Sequence, residues 1–166
     1  MKLAGERERA SGLRARRTAG VARHGAQIAL PPSGEARSSR NGTSVSDPIL
    51  GWRLDPEDRL RLLARFPPAY PETVADHVTW GPKSKSPPMP PAGKAKVIGR
   101  ADDGEGVEAL VVEVEGTSRR WDGGTFHITW SLGPGREAKE SNDVIAAQGW
   151  DPAEGGPATL TAAEWP

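Results

Sequence analysis

His77-Val78-Thr79-Trp80 and His127-Ile128-Thr129-Trp130 write one tetrapeptide twice, 50 positions apart, and use two of the three histidines in the chain. Imidazole is the side chain whose ordinary pKa lies near neutrality, so one copy can accept a proton while the other, charged, donates one. A threonine hydroxyl two residues along can donate to a non-bridging phosphate oxygen and stabilise the charge that grows there in a transition state. Two imidazoles and two hydroxyls around one phosphate meet the needs of phosphoester cleavage without a metal. One imidazole deprotonates water, the water attacks phosphorus in line, and the opposite imidazolium protonates the departing oxygen.

Such groups converge only if the chain around each motif is extended, and both copies read as strands. Side chains alternate faces along a strand. His127, Thr129 and Ser131 therefore share one side, and Phe126, Ile128 and Trp130 the other. In the first copy His77 and Thr79 oppose Val78 and Trp80, with Val74 on the apolar side. Strand packing alone would account for the Trp, the β-branched residues and the Thr. It gives no reason for histidine at both first positions.

The rest of the composition narrows the setting. At 166 residues the chain suits one domain with extensions. Formal net charge is zero, yet residues 1–47 hold nine Lys/Arg against four Asp/Glu, leaving 13 against 18 for the remainder. All six Trp, both Phe and the only Tyr lie at or beyond Trp52, so the folded domain is expected to begin near there. With no cysteine, disulfides and thiolate metal sites are excluded. The sequence carries no apolar run of membrane-spanning length and no secretory signal pattern, which leads to the expectation of a cytoplasmic protein.

Residues 1–46 are rich in Arg, Ala, Gly and Ser without sustained periodicity and read as a disordered basic extension. They are either a solvated tail or a nucleic-acid-binding arm built on Arg14, Arg16, Arg17 and Arg23. Asp55-Pro56-Glu57-Asp58 has the start signals of a helix over 56–66, with Leu60, Leu63 and Leu62 facing inward and Arg59, Arg61 and Arg65 outward. A strand over 74–80 carries the first motif. The proline-rich loop 81–93 follows, either as a plain connection or as a lid whose Lys83 and Lys85 meet a phosphate. Residues 94–101 and 107–115 predict a hairpin around Asp102-Asp103-Gly104-Glu105-Gly106, its acids serving the turn and a wet strand face. The second motif strand spans 125–132, and a short helix over 140–148 is capped near Ser141 or Asn142. Arg119 and Arg120 are either a solvated turn or a hold for a second phosphate. Tyr70, Trp121 and Trp52 are candidates for stacking on a base. Residues 152–166, rich in Pro, Gly and Ala, read as a C-terminal tail.

The two motifs resemble the paired H-x-T/S-hydrophobic motifs of the 2H phosphoesterase superfamily, which includes RNA 2′,3′-cyclic phosphodiesterases. The resemblance covers roughly residues 48–150 and describes a short variant. It implies His77 and His127 as the acid/base pair and Thr79 and Thr129 as phosphate contacts; Lys83 and Lys85 of the loop and Ser131 of the motif strand face are candidate accessory residues beside them. It implies neither metal nor cofactor, and it leaves open which histidine is acid and which is base.

The expected fold is α+β: a small antiparallel sheet whose two H-x-T strands flank a cleft, with two short helices, over residues 47–151. The expected function is metal-independent hydrolysis of a cyclic phosphodiester, a 2′,3′-cyclic phosphate of RNA or a nucleotide. The alternative is a non-catalytic nucleotide or RNA-end binding module on the same scaffold. The implied partner is an RNA end or nucleotide. Neither a membrane nor an obligate protein partner is indicated.

Overall fold

The structure, a computed structural model, describes residues 46–90 and 94–166. The basic N-terminal extension lies outside the described residues, apart from its last position. The elements run β1 (Ile49–Leu54), α1 (Pro56–Arg65), β2 (Glu72–Thr73), β3 (His77–Pro82), β4 (Lys94–Asp102), β5 (Val107–Val114), β6 (His127–Leu132), α2 (Glu140–Gln148) and β7 (Asp151–Trp165). The order β6-β3-β1-β7-β4-β5 closes on itself through a β5–β6 pairing, every pair antiparallel, and β2 adds to β6 from outside the ring. This is a six-stranded closed barrel with two short helices, so the expected α+β class is overturned.

The segment that overturns it is the expected tail. Residues 151–165 form β7, the longest strand, and β7 changes partner midway. Asp151 to Thr159 pair with β4, and Leu160 to Trp165 pair with β1. Pro152 and Pro157 argue against a strand because proline has no N–H to donate to a ladder. Both lie in the half that pairs with β4 alone, an edge setting in which proline is tolerated. The opposite edge of this half is covered by α1. Asp58 accepts from the Thr159 amide at 2.7 Å, Arg61 donates to the Gly155 carbonyl at 2.8 Å and to that of Pro157, and Arg65 Nε reaches the Glu154 carbonyl at 2.5 Å. Arg61 and Arg65 lie on an exposed face, as expected, and from there supply bonds that a neighbouring strand would have made. Asp55 caps α1 as its sequence indicates, accepting from the Glu57 and Asp58 amides. The inward residue is Leu62, whereas Leu60 is 67% exposed.

Small barrels are filled by their own side chains, and here aromatic residues fill much of the space. Trp52, Trp80 and Phe126 meet with ring centroids 5.6 to 6.0 Å apart, and Val78, Ile128 and Trp130 point into the same cluster. The apolar half of each motif therefore faces the interior, as alternation requires. A second apolar cluster lies on the outside, where Val144 and Ile145 of α2 cover Val107, Ala109 and Val111 of β5. β5 is consequently buried on both faces. Glu108, expected on a wet face, is fully buried and is held by Arg100 at 2.7 Å, the Ala69 amide at 2.9 Å and the Ser131 hydroxyl. Among the described residues no helix is long and apolar enough to cross a membrane.

Candidate functional site

β3 and β6 are adjacent, with Val78 opposite Ile128. Antiparallel continuation from that pair sets His77 opposite Thr129 and Thr79 opposite His127, all four on the outer face of the barrel. The two histidines are diagonal cross-strand neighbours, an arrangement that places Cα atoms about 7–8 Å apart, within reach of one small group held between them. All four side chains line one cavity of about 360 Å³ together with Ile49, Ala138, Lys139, Asn142 and Trp165. That volume lies within the usual range of small-molecule sites.

Two elements turn a flat strand face into a cavity. On one side, the turn before α2 and its first residues bring Ala138, Lys139 and Asn142 over β6. On the other, Trp165 lies across β1 and meets the His77 ring at 4.7 Å between centroids. Gly51 makes this crossing feasible, since a Cβ there would stand 2.8 Å from the Trp165 ring.

The environments of the two histidines differ. His127 is 8% exposed, and its Nδ1 lies 2.8 Å from the Thr125 carbonyl. A carbonyl can only accept, so Nδ1 carries the proton and Nε2 is left as the acceptor. Burial, helped by the charge of Arg120 and by His77, outweighs the Thr125 contact and holds His127 below its ordinary 6.5. His77 has a side chain 31% exposed, and its Nδ1 is 3.4 Å from Asp76 Oδ2. That approach lacks hydrogen-bond geometry and leaves Nδ1 without a partner among the described residues.

The depressed His127 value has a consequence for stability. In the unfolded chain this ring takes up a proton as the pH falls through 6.5, whereas the folded ring resists it. Protons therefore favour unfolding, and the contribution of this site is complete above that value and lost as the pH falls below it. Denaturant midpoints measured from about pH 7.5 down to about 5.5 are expected to decline more steeply in the wild type than in His127→Gln. Equal slopes would show that this ring is not the group responsible.

The threonines are not equivalent either. Thr129 Oγ1 donates to the Ala138 carbonyl at 3.2 Å, so the 3.0 Å contact with Ser141 must have the Ser141 hydroxyl as donor. The single proton of Thr129 is thus already used, and Thr79 is the motif hydroxyl that lines the cavity with no hydrogen-bond partner among the described residues. Ser131 does not reach the cavity: it is fully buried, accepts from the Tyr70 amide at 3.1 Å and donates to Glu108. Lys83 is paired with Glu164 at 2.9 Å, and neither it nor Lys85 lines the cavity. Trp52 is core, the Tyr70 hydroxyl donates to Asp102, and Trp121 Nε1 donates to the Trp80 carbonyl, so none of the three aromatics singled out as stacking candidates borders the site.

The cation at the rim is Lys139, which sequence reading missed because nothing marks one lysine of the 136–140 turn as facing a strand 60 residues away. It pairs with Glu137 in an exposed contact that contributes little to stability and can open toward an anion. Lys139 is also the N-cap of α2, in place of the expected Ser141 or Asn142. No family model, no curated protein and no solved structure matches the chain.

Proposed function

We propose that the protein is a metal-independent phosphodiesterase that opens a cyclic phosphodiester, a 2′,3′-cyclic phosphate of RNA or a nucleotide, in the manner of the 2H phosphoesterases its motifs resemble. The observation that carries this reading is the convergence of His77, His127 and Thr79 on one cavity, with the two imidazoles in unlike surroundings. Uncoupled histidines on a solvated strand face would have no reason to differ. Acid/base catalysis needs the difference, because one ring must be neutral while the other is charged.

The assignment of roles follows from the surroundings. His127, held neutral with Nε2 as acceptor, takes a proton from water. The water oxygen bonds to phosphorus as the bond to the ribose oxygen breaks. His77, on the neighbouring strand and lining the same cavity, is the acid that gives its proton to the departing oxygen. Thr79 and Lys139 stabilise the non-bridging oxygens. The product is a phosphomonoester, and solvent returns both rings to their starting protonation.

Each step uses groups of the chain alone, so turnover of a nucleoside 2′,3′-cyclic phosphate is expected to persist undiminished in excess EDTA. Its rate should rise with pH as the buried His127 becomes neutral. Loss of turnover on chelation, restored by a divalent cation, would overturn the mechanism.

A further inference from the structure

His127 and Asn142 also border a second cavity, of about 380 Å³, lined further by Arg120, Asp122, Gly123, Gly124, Thr125, Asp143, Ile145 and Ala146. The site is thus two chambers sharing one wall, and the proposed cyclic phosphate accounts for only the first. The second is built around Arg120, whose side chain is only 12% exposed. A guanidinium has five N–H donors. Nε bonds Asp122 Oδ1 at 2.8 Å and Nη2 makes a 3.4 Å contact with Asn142 Oδ1, leaving three donors without a partner among the described residues. Gly124 permits this placement: a Cβ there would stand 2.8 Å from Arg120 Nη2.

Charge decides what such a chamber takes. Arg120 is paired with Asp122 and shares the chamber with a second carboxylate, Asp143, so a second phosphate would meet net negative charge. A neutral group that offers acceptors to the guanidinium and donors to a carboxylate fits both. Asp122 is already committed to Arg120, whereas Asp143 is exposed at the rim and has no ion-pair partner among the described residues. Ile145, Ala146 and the two glycines give a low apolar wall against which a flat ring can lie. Among nucleobases, guanine presents two acceptors, O6 and N7, in the arrangement a bidentate arginine matches, and carries N–H donors on its adjacent Watson–Crick edge.

We propose that the second chamber receives the base attached to the cyclic phosphate, and that Arg120 and Asp143 make it selective for guanine. This rests on the reading of the first chamber as a phosphodiesterase site. The test compares guanosine and uridine 2′,3′-cyclic phosphates as substrates, together with binding of guanosine and uridine 3′-monophosphates by calorimetry. In the wild type the kcat/KM ratio is expected to favour guanosine by about tenfold, the discrimination given by one good bidentate pair. In Arg120→Gln and Asp143→Asn the ratio should fall toward one. Arg120→Lys should lose it as well, because a point charge cannot match two acceptors; retention there would indicate charge steering and overturn the proposal. A wild-type ratio near one, or a ratio unchanged in Arg120→Gln, would also overturn it. If neither substrate is turned over, the phosphodiesterase reading fails alone: the same guanosine preference should then appear in the monophosphate affinities and vanish in Arg120→Gln, and equal affinities would sink the base chamber too.

Discussion

His77→Ala is expected to reduce turnover of a nucleoside 2′,3′-cyclic phosphate by 10² or more, the usual contribution of a positioned proton donor. This variant is the cleaner of the two histidine replacements. The His77 side chain is 31% exposed and makes no hydrogen bond among the described residues, so its removal should leave the barrel intact. A fall in kcat with an unchanged melting temperature would therefore report chemistry. The acidic limb of the pH profile, which follows the neutral form of His127, should remain. His127→Ala should instead lose that limb. His127 is buried, so His127→Gln, closer in size, is the better control for packing. Full activity in His77→Ala would reject the acid/base pair. Tight nucleotide binding without turnover in the wild type would instead favour the non-catalytic module on the same cavity.

A chain ending at Trp150 is expected to lose cooperative unfolding altogether. Removing β7 exposes one edge of β1 and one of β4, takes Ala158 and Leu160 out of the interior, and strips Asp58, Arg61 and Arg65 of the backbone groups they satisfy. Unpaired edges and uncovered apolar surface together favour aggregation over a shortened barrel. Near-ultraviolet circular dichroism, which reports the packing of the interior Trp residues, should collapse. A point change gives the same test in graded form. Leu160→Ala should cost about 2–5 kcal/mol in denaturant unfolding, the range for emptying a buried leucine site. If the truncated chain melted as sharply and as high as the full one, residues 151–166 would be a tail after all.

That strand also marks where sequence reading ran out. Its composition, with Pro152, Gly155, Gly156 and Pro157 in the first seven residues, has the local signature of a loop. Proline and glycine are poor in a strand bonded on both sides, and β7 escapes the rule because neither of its halves is bonded by strands on both sides. Its first half draws its second set of partners from charged side chains of α1, a helix nearly 100 residues earlier. No window of sequence contains that information. The same holds for Glu108, whose alternation pattern indicates a wet face until Arg100 and the 66–71 connection close over it, and for Ser131, drawn into that buried carboxylate's network. The symmetric roles of Thr79 and Thr129 separate only once Ser141 and the Ala138 carbonyl are in place.

By itself the sequence determined everything governed by nearest neighbours along the chain. The Asp55 cap and Pro56 set the start of α1, the acidic Gly-containing turn sets the β4–β5 hairpin, and the period of two sends Val78, Trp80, Ile128 and Trp130 inward and the histidines outward. It also supplied the chemistry, because the imidazole and hydroxyl types are written in the repeat. The tertiary structure decided the closure of the barrel through β7, the walls that Trp165 and the α2 turn raise around the motif face, and the asymmetry that buries His127 and leaves His77 half-exposed beside a carboxylate. Alternation is a local property of a pleated chain and can be read residue by residue. Burial, ion pairing and the strand that supplies the last edge depend on which distant segments pack together, and the three-dimensional fold alone sets those.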